Sequence, residues 1–453
     1  MTSETLFLLL GLFALAACVP QNYRKQERNS DFIPFVDFMN QVGDAKWEDY
    51  SGDGTNVASE PDFQDMKAHI LDMYSGVTNP VTSFLLNGQY GDCIPILEQP
   101  SASAFGITEL AKPPTSFTLP KTNKRQSPSN SSESVATSPL ALGLKDAFGN
   151  DISCPENTVP IARITLEKMT SFPTLREFFA RAPQKQGSSQ QKRQLMARAG
   201  HLHAIGYQEK DNYGGSSFLN VWDPVGPFSI SQQWYLAFTE TNVQTVETGW
   251  QVAPTTWGTT DPVLFIYWTA DNYTHTGCYN TACPGFVQTN SQYMFAEVLQ
   301  PGTATNTNTG RTLGYSTASN PDIGITLEWQ LYSGAWWFFI NGHSIGYYPT
   351  EIYKGGQLSQ YATQIQYGGE VDTSPGGLWP PMGSGAFAQA GYGQAAYQNN
   401  IFYFDLDSSP VWANLQTLDQ ASTSCYTIEA GGQPNDGVWT SYIFFGGPGG
   451  PVC

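Results

Sequence analysis

Charged side chains make up only 13% of this 453-residue chain, about half the roughly 25% of an average globular protein. Basic residues are the scarcest. From Gln194 to the end, only Arg198, Lys210, Arg311 and Lys354 stand against 18 acidic residues. A surface of that sign repels phosphate backbones and argues against nucleic acid as a partner. It repels itself far less at acid pH, where carboxylates take up protons. Histidine is also sparse, with five in all. His201 and His203 would put two rings on one strand face, the start of a metal site. No third ligand is evident, and core or surface histidines are the better reading, so neither a metal nor a cofactor is expected. Several catalytic signatures are missing too. There is no H-E-x-x-H, no Gly-rich phosphate loop after a strand, no Asp-Ser-Gly or Asp-Thr-Gly pair, and no C-x-x-C that would suggest zinc.

What is present suits short strands and turns. Aromatics reach 13%, with 44 glycines and 30 prolines. Residues 6–17, LFLLLGLFALAA, form an apolar run ahead of small residues. That is a secretory signal, too short to span a membrane, so the protein is expected outside the cell with no membrane contact after signal removal. LAAC at 15–18 gives an alternative, lipid anchoring through Cys18. Six further cysteines remain, an even number that suggests disulfides in a secreted chain. Sequence proximity favours Cys93–Cys154, Cys278–Cys283 and Cys425–Cys453, and no cysteine is left as a nucleophile. Asn130 and Asn272 head glycosylation sequons.

Residues 18–193 carry the helix-capable and low-complexity sequence. PDFQDMKAHILDMY (61–74) has apolar residues at helical spacing, and LEKMTSFPTLREFFARA (166–182) reads as a helix broken or restarted at Pro173. The dibasic pairs Lys124-Arg125 and Lys192-Arg193 lie in polar, loop-like stretches of the kind that fit protease clefts. Cleavage after Arg193 would separate a propeptide from the remainder, with a convertase as a partner. From His201 onward short strands follow one another: FLNVWDP, FSISQQWYLAFT, VETGWQV, PVLFIYWTA, YMFAEVLQ, GITLEWQLYS, AWWFFI, HSIGYYP, TQIQYGGEV and NNIFYFD. Asn341-Gly342 marks a hairpin between two of them. Many short strands with turn signals argue for an antiparallel sandwich or barrel.

Two of these strands carry unusual polar rows. In TVETGWQVAP (245–254), Glu247, Gly249 and Gln251 point one way, and Val246, Thr248 and Trp250 the other. In IQYGGEV (365–371), Gln366, Gly368 and Glu370 share one face. The rows read Glu-x-Gly-x-Gln and Gln-x-Gly-x-Glu. Two nearby carboxyls cannot easily both ionise, so one can serve as base and the other as acid at low pH. Such a pair can hydrolyse peptides or glycosides. Gly249 and Gly368 would leave room for a substrate backbone, and Gln251 and Gln366 could donate to a carbonyl oxygen. Trp250, Trp268 and Tyr367 are candidates to line the cleft. Glu351 is a rival carboxylate, read as structural because its neighbours are bulky.

The segment from His201 to Cys453 resembles the neprosin family, glutamic prolyl endopeptidases. The matching stretches run in the family's order: FLNVWDP, FSISQQW, VETGWQVAP, LFIYWTADNYTHTGCYNTACPGFVQTN, IGYYPTEIY, QYGGEV, MGSGAFAQAGYGQAAYQNNI and FFGGPGGPVC. GDCIPILEQPSA (91–102) and CPENTVPIARI (154–164) look like the family's activation region. The resemblance implies an antiparallel β-sandwich catalytic domain over 194–453, preceded by a smaller mixed α/β propeptide domain over 18–193. It implies that Glu247 and Glu370 are catalytic, that the three cysteine pairs above form, and that the propeptide blocks the site until acid releases it. Substrates would be proteins, cut preferentially after proline. Segment 302–320 looks longer than the family's loop there. The alternatives are a carbohydrate-binding or carbohydrate-cleaving sandwich and a non-catalytic secreted relative.

Overall fold

The computed structural model describes residues 32–52, 54–78, 81–86, 89–115, 154–180, 201–238, 242–295, 316–373, 377–419, 423–432 and 439–453. The export run, Cys18, both dibasic pairs, Asn130 and most of segment 302–320 lie outside these residues.

The N-terminal part begins with helix α1 (Phe35–Asp44), where Phe35, Phe38 and Val42 form a buried stripe. The sequence reading did not anticipate this helix, although those residues recur at helical spacing after Pro34. Helix α2 (Glu60–Met73) starts at Ser59, whose hydroxyl accepts from the Asp62 amide, and buries Phe63, Met66, Ile70 and Met73. Both helices cover a three-stranded antiparallel sheet of β1 (Thr82–Leu86), β2 (Gln89–Pro95) and β3 (Thr158–Ala162), with β2 in the middle. Helix α3 (Pro100–Ala104) follows β2. The 166–182 stretch does restart at its proline, as α4 (Leu166–Met169) and α5 (Leu175–Phe179), each capped by the threonine before it. Arg163 is the charged member of this core. It makes two hydrogen bonds to buried Asp92, at 2.6 and 2.8 Å, and lies over the Tyr90 and Phe38 rings. That pairing satisfies a cation that would otherwise be costly to bury.

The remainder is two antiparallel sheets. Its strands are β4 (His201–Asn212), β5 (Gly214–Asn220), β6 (Phe228–Phe238), β7 (Val243–Val252), β8 (Val263–Thr269), β9 (Val287–Gln288), β10 (Gly324–Tyr332), β11 (Ala335–Ile340), β12 (His343–Pro349), β13 (Ala362–Asp372), β14 (Ala396–Phe404), β15 (Pro410–Trp412), β16 (Gln416–Asp419), β17 (Thr427–Gly431) and β18 (Tyr442–Gly446). A four-residue helix, α6 (Pro254–Trp257), follows β7. The smaller sheet runs β16-β4-β13-β6-β7-β8. The larger runs β17-β18-β14-β5-β10-β11-β12-β9, with β15 on β14. The chain is mostly β, as expected. The Asn341-Gly342 turn closes the β11–β12 hairpin with both residues at positive φ. YMFAEVLQ departs from its reading as a strand: Tyr293, Met294 and Phe295 are non-strand residues whose side chains are buried as packing.

One face of each sheet meets the other sheet. Trp250, Tyr235 and Tyr367 from the smaller sheet pack with Trp329, Trp336, Phe338 and Tyr348 from the larger in one apolar core. Because side chains alternate along a strand, every second residue of β4, β13, β6 and β7 is left on the far side of the smaller sheet. That far side carries the polar rows.

The structure joins Cys93 to Cys154, Cys278 to Cys283 and Cys425 to Cys453. Among the described residues no helix is long and apolar enough to cross a membrane.

Candidate active site

Strand β6 lies between β13 and β7, and the register builds a three-by-three patch on the far face. Gln366, Trp234 and Glu247 form one row across the sheet. Gly368, Gln232 and Gly249 form the next, and Glu370, Ile230 and Gln251 the third. Directly opposed residues point to the same face, so all nine share it. The two glutamates occupy diagonal corners and Gln232 the centre. On a flat sheet the corners lie roughly 10 Å apart across the strands and 13 Å along them.

Both acids are sealed from solvent, Glu247 at 0% and Glu370 at 1% exposure. Glu247 Oε1 accepts from the Thr245 and Tyr273 hydroxyls, each at 2.6 Å. Thr245 stands two residues back on the same face of β7, and Tyr273 comes from the loop after β8. Glu370 is held differently. The Gln232 amide donates to its Oε2 at 3.1 Å. His201 Nδ1 lies 2.6 Å from Oε1, and His203 Nε2 lies 3.5 Å from Oε2. Both histidines stand on β4, opposite Asp372 and Glu370 of β13. They are buried, as the sequence reading preferred, but they serve a carboxylate.

An aromatic wall flanks the Glu247 side. Tyr267 opposes Glu247 and Phe265 opposes Gly249 across the β7–β8 pair. Tyr279 meets Tyr267 edge-on at 4.8 Å, Trp257 meets Tyr279 at 5.3 Å, and the Gln251 amide donates to the Tyr279 hydroxyl at 3.4 Å. Gln366, at the opposite corner from Gln251, donates to Gln364. Among the described residues no cluster of histidine, cysteine and carboxylate has the arrangement of a metal centre.

Several expectations need correction. Trp250, Trp268 and Tyr367 do not line this face. All three lie in the core between the sheets, where the Trp250 indole donates to the Asn220 carbonyl and Tyr367 meets the Tyr235 hydroxyl. Strand alternation requires this, since Trp250 and Tyr367 have the opposite parity from the two acids. The glycines are on the face, but for a different reason from the one given. A Cβ at Gly249 would fall 2.0 Å from the Ser231 carbonyl oxygen, and one at Gly368 would fall 2.2 Å from that of Ala204. Gly368 also has φ +151. The space a side chain would need is occupied by the neighbouring strands: Gly249 lets β7 close on β6, and Gly368 lets β13 close on β4. Glu351 is exposed in a short helical turn, Thr350–Tyr353, away from the patch. Asn272 sits at φ +60 in the loop after β8. Gln232, His201 and His203 are site residues that the sequence reading did not assign. FSISQQW was the only signal for Gln232, and nothing local shows that β6 separates β13 from β7.

Residues 226–448 match the family model described as Neprosin, and the patch lies on strands that this match largely spans. The chain carries a neprosin-family domain. As such it is a hydrolase, a peptidase of the glutamic type. Solved structures that match include scytalido-glutamic peptidase with a transition state analog inhibitor. It is 10% identical at a TM-score of 0.30, covering 55% of this chain and 98% of that one. The same peptidase with a peptide-based transition state analog matches at 11% identity and a TM-score of 0.29, over 55% and 98% of the two chains. SCP-B, a member of the Eqolisin family of peptidases in complex with the tripeptide Ala-Ile-His, matches at 10% and 0.28, again over 55% and 98%. Residue roles in this chain therefore rest on its own geometry.

Proposed function

We propose that this chain is a secreted glutamic endopeptidase, made as a zymogen and active at acid pH, that cuts proteins preferentially after proline. The observation that carries the reading is the pair of buried carboxyls on one sheet face, held by unlike partners. Glu370 faces ring nitrogens and an amide, groups that favour the ionised form. Glu247 accepts from the Thr245 and Tyr273 hydroxyls, which are neutral. Glu370 then takes a proton from water while the water oxygen bonds to the peptide carbonyl carbon. Glu247, protonated at acid pH, gives its proton to the leaving nitrogen as the C–N bond breaks. The products are a free acid and an amine, and solvent exchange resets both carboxyls. The substrate lies across the patch over Gln232, so the acids work from two corners. The wall of Phe265, Tyr267, Tyr279 and Trp257 suits a proline ring, which is apolar and stacks on aromatic faces.

The N-terminal part supports the zymogen reading, with Arg193 as the processing site. One of its contacts lies beside the patch and the others along residues 255–288. The Phe179 carbonyl accepts from the Tyr267 hydroxyl at 3.3 Å, beside Glu247. Lys168 donates to the Thr255 carbonyl at 2.9 Å, and His69 Nε2 meets the Ala282 carbonyl at 2.9 Å. Gln99 pairs with the Gln288 backbone through both ends of its amide. Both carboxyls are buried in the full chain, and in this reading release of the N-terminal part opens the patch to substrate. The test is acid activation of the full chain followed by assay on a proline-containing peptide. Glu247→Gln and Glu370→Gln should each lose at least roughly 10²-fold in kcat. Full activity in Glu370→Gln ends the two-acid mechanism. Cleavage of a polysaccharide with no cleavage of gelatin would favour the carbohydrate reading instead.

A further inference from the structure

The contacts of His201 go beyond a buried histidine filling space. Its ring is 2% exposed and spans two carboxylates, with Nδ1 at 2.6 Å from Glu370 Oε1 and Nε2 at 3.3 Å from Asp372 Oδ2. Each ring nitrogen thus lies within ion-pair distance of a different carboxylate, so the ring ties the two side chains into one arrangement. The far end of the chain is anchored as well: the Thr373 amide donates to Asp372 Oδ1 at 2.7 Å. The result is a line running from the Thr373 amide through Asp372 and His201 to Glu370. Other groups facing this line include His203 Nε2, 3.5 Å from Glu370 Oε2; the neutral Gln232 amide; and the Phe228 ring, edge-on to His201 at 5.2 Å.

We propose that His201 is a positioning residue for the hydrolysis: bridging Asp372 and Glu370, it fixes the Glu370 carboxyl in the orientation that receives a proton from water. The proposal rests on Glu370 being the base. Asp372, 30% exposed at its side chain, sets the ring's tilt from the solvent side. Strand pairing alone explains none of this, because β4 and β13 are joined by backbone ladders over ten paired positions whatever side chain stands at 201.

The test uses the full chain, acid-activated, with kcat and KM measured on a proline-containing peptide and melting temperature measured on the same samples. His201→Ala should lower kcat about 30-fold or more while KM stays within about threefold. His201→Asn keeps an N–H where Nδ1 stood and should restore kcat to within about fivefold of wild type. Unchanged kcat in His201→Ala overturns the proposal. So does a loss that His201→Asn fails to restore, which would mean the ring only packs. Asp372→Asn, at the partly exposed position, guards against variants that do not fold. Without the carboxylate at its far nitrogen the ring is no longer held, so kcat should fall at least about fivefold while KM stays within about threefold. An unchanged kcat in Asp372→Asn also overturns the proposal. Glu370→Gln runs alongside: if it stays active, the two-acid reading fails, whatever the histidine variants do.

Discussion

Glu328 offers a test of the fold's electrostatics that does not depend on catalysis. It lies on β10 between Ser216 of β5 and Phe339 of β11, on the face turned away from Leu327 and Trp329. It is 9% exposed, and among the described residues no salt bridge reaches it. Burial alone pushes its carboxyl from an ordinary 4.5 up to about 8. In the folded protein it is therefore neutral through a range where the unfolded chain ionises it. The stability this confers is fully present below pH 4.5 and drains away as pH rises through 8. At about 1.4 kcal/mol per pH unit, the loss between pH 4.5 and pH 7 is roughly 3 kcal/mol. Glu328→Gln keeps the shape and cannot ionise, so it escapes that loss. Wild type and variant should melt within a few degrees of each other at pH 4.5. At pH 7 the variant should melt roughly 6–12 °C higher, at 2–4 °C per kcal/mol for a domain of this size. Tryptophan fluorescence on heating reads the transition, and the difference between the two proteins cancels every other titrating group. An advantage that does not grow between the two pH values would refute the reasoning.

Four further outcomes are expected. His69 packs edge-on to Phe179 and meets the Ala282 carbonyl, and burial lowers its pKa. The docking it supports is then present above its ordinary value near 6.5 and weakens as pH falls below it. His69→Gln should therefore slow acid activation, which timed appearance of the mature band would show. Removing the Cys93–Cys154 bridge with two serines frees a loop with a sequence separation of 61, worth about 4 kcal/mol by chain entropy. That variant should activate at higher pH than wild type, read as a pH–activation curve. Gly368→Ala forces a methyl onto the Ala204 carbonyl and should cost at least about 2 kcal/mol, measured by urea unfolding. Gln232→Leu should lower kcat on peptides more than it lowers melting temperature, since the amide reaches Glu370 and not the core; a pure stability loss with normal kcat would count against the patch.

The strands were legible because aromatic and β-branched residues alternate with polar ones between clear turn signals. β6, β10, β11, β12 and β13 fall within a residue or two of where the pattern puts them. Both acidic rows could be read for the same reason. Which strands neighbour each other could not. Gln232 reaches Glu370 across 138 residues of sequence, and His201 reaches it across a further pairing that β4 makes only in three dimensions. Trp250 and Tyr367 were misassigned because large rings near a suspected site invite a cleft role, although their parity on β7 and β13 already placed them inward. The first helix was missed because its apolar stripe is only three residues, Phe35, Phe38 and Val42.

The three-by-three patch is made entirely of strand residues whose immediate neighbours, one position along, are walls of the inter-sheet core. Sliding β7 or β13 by a single position would carry the acids into the aromatic interior and push tryptophan or tyrosine outward. Chemistry and correct pairing thus stand or fall together. Loops around the rim can lengthen or change composition without touching the two buried glutamates, while a conservative-looking swap at the back of either strand can displace them.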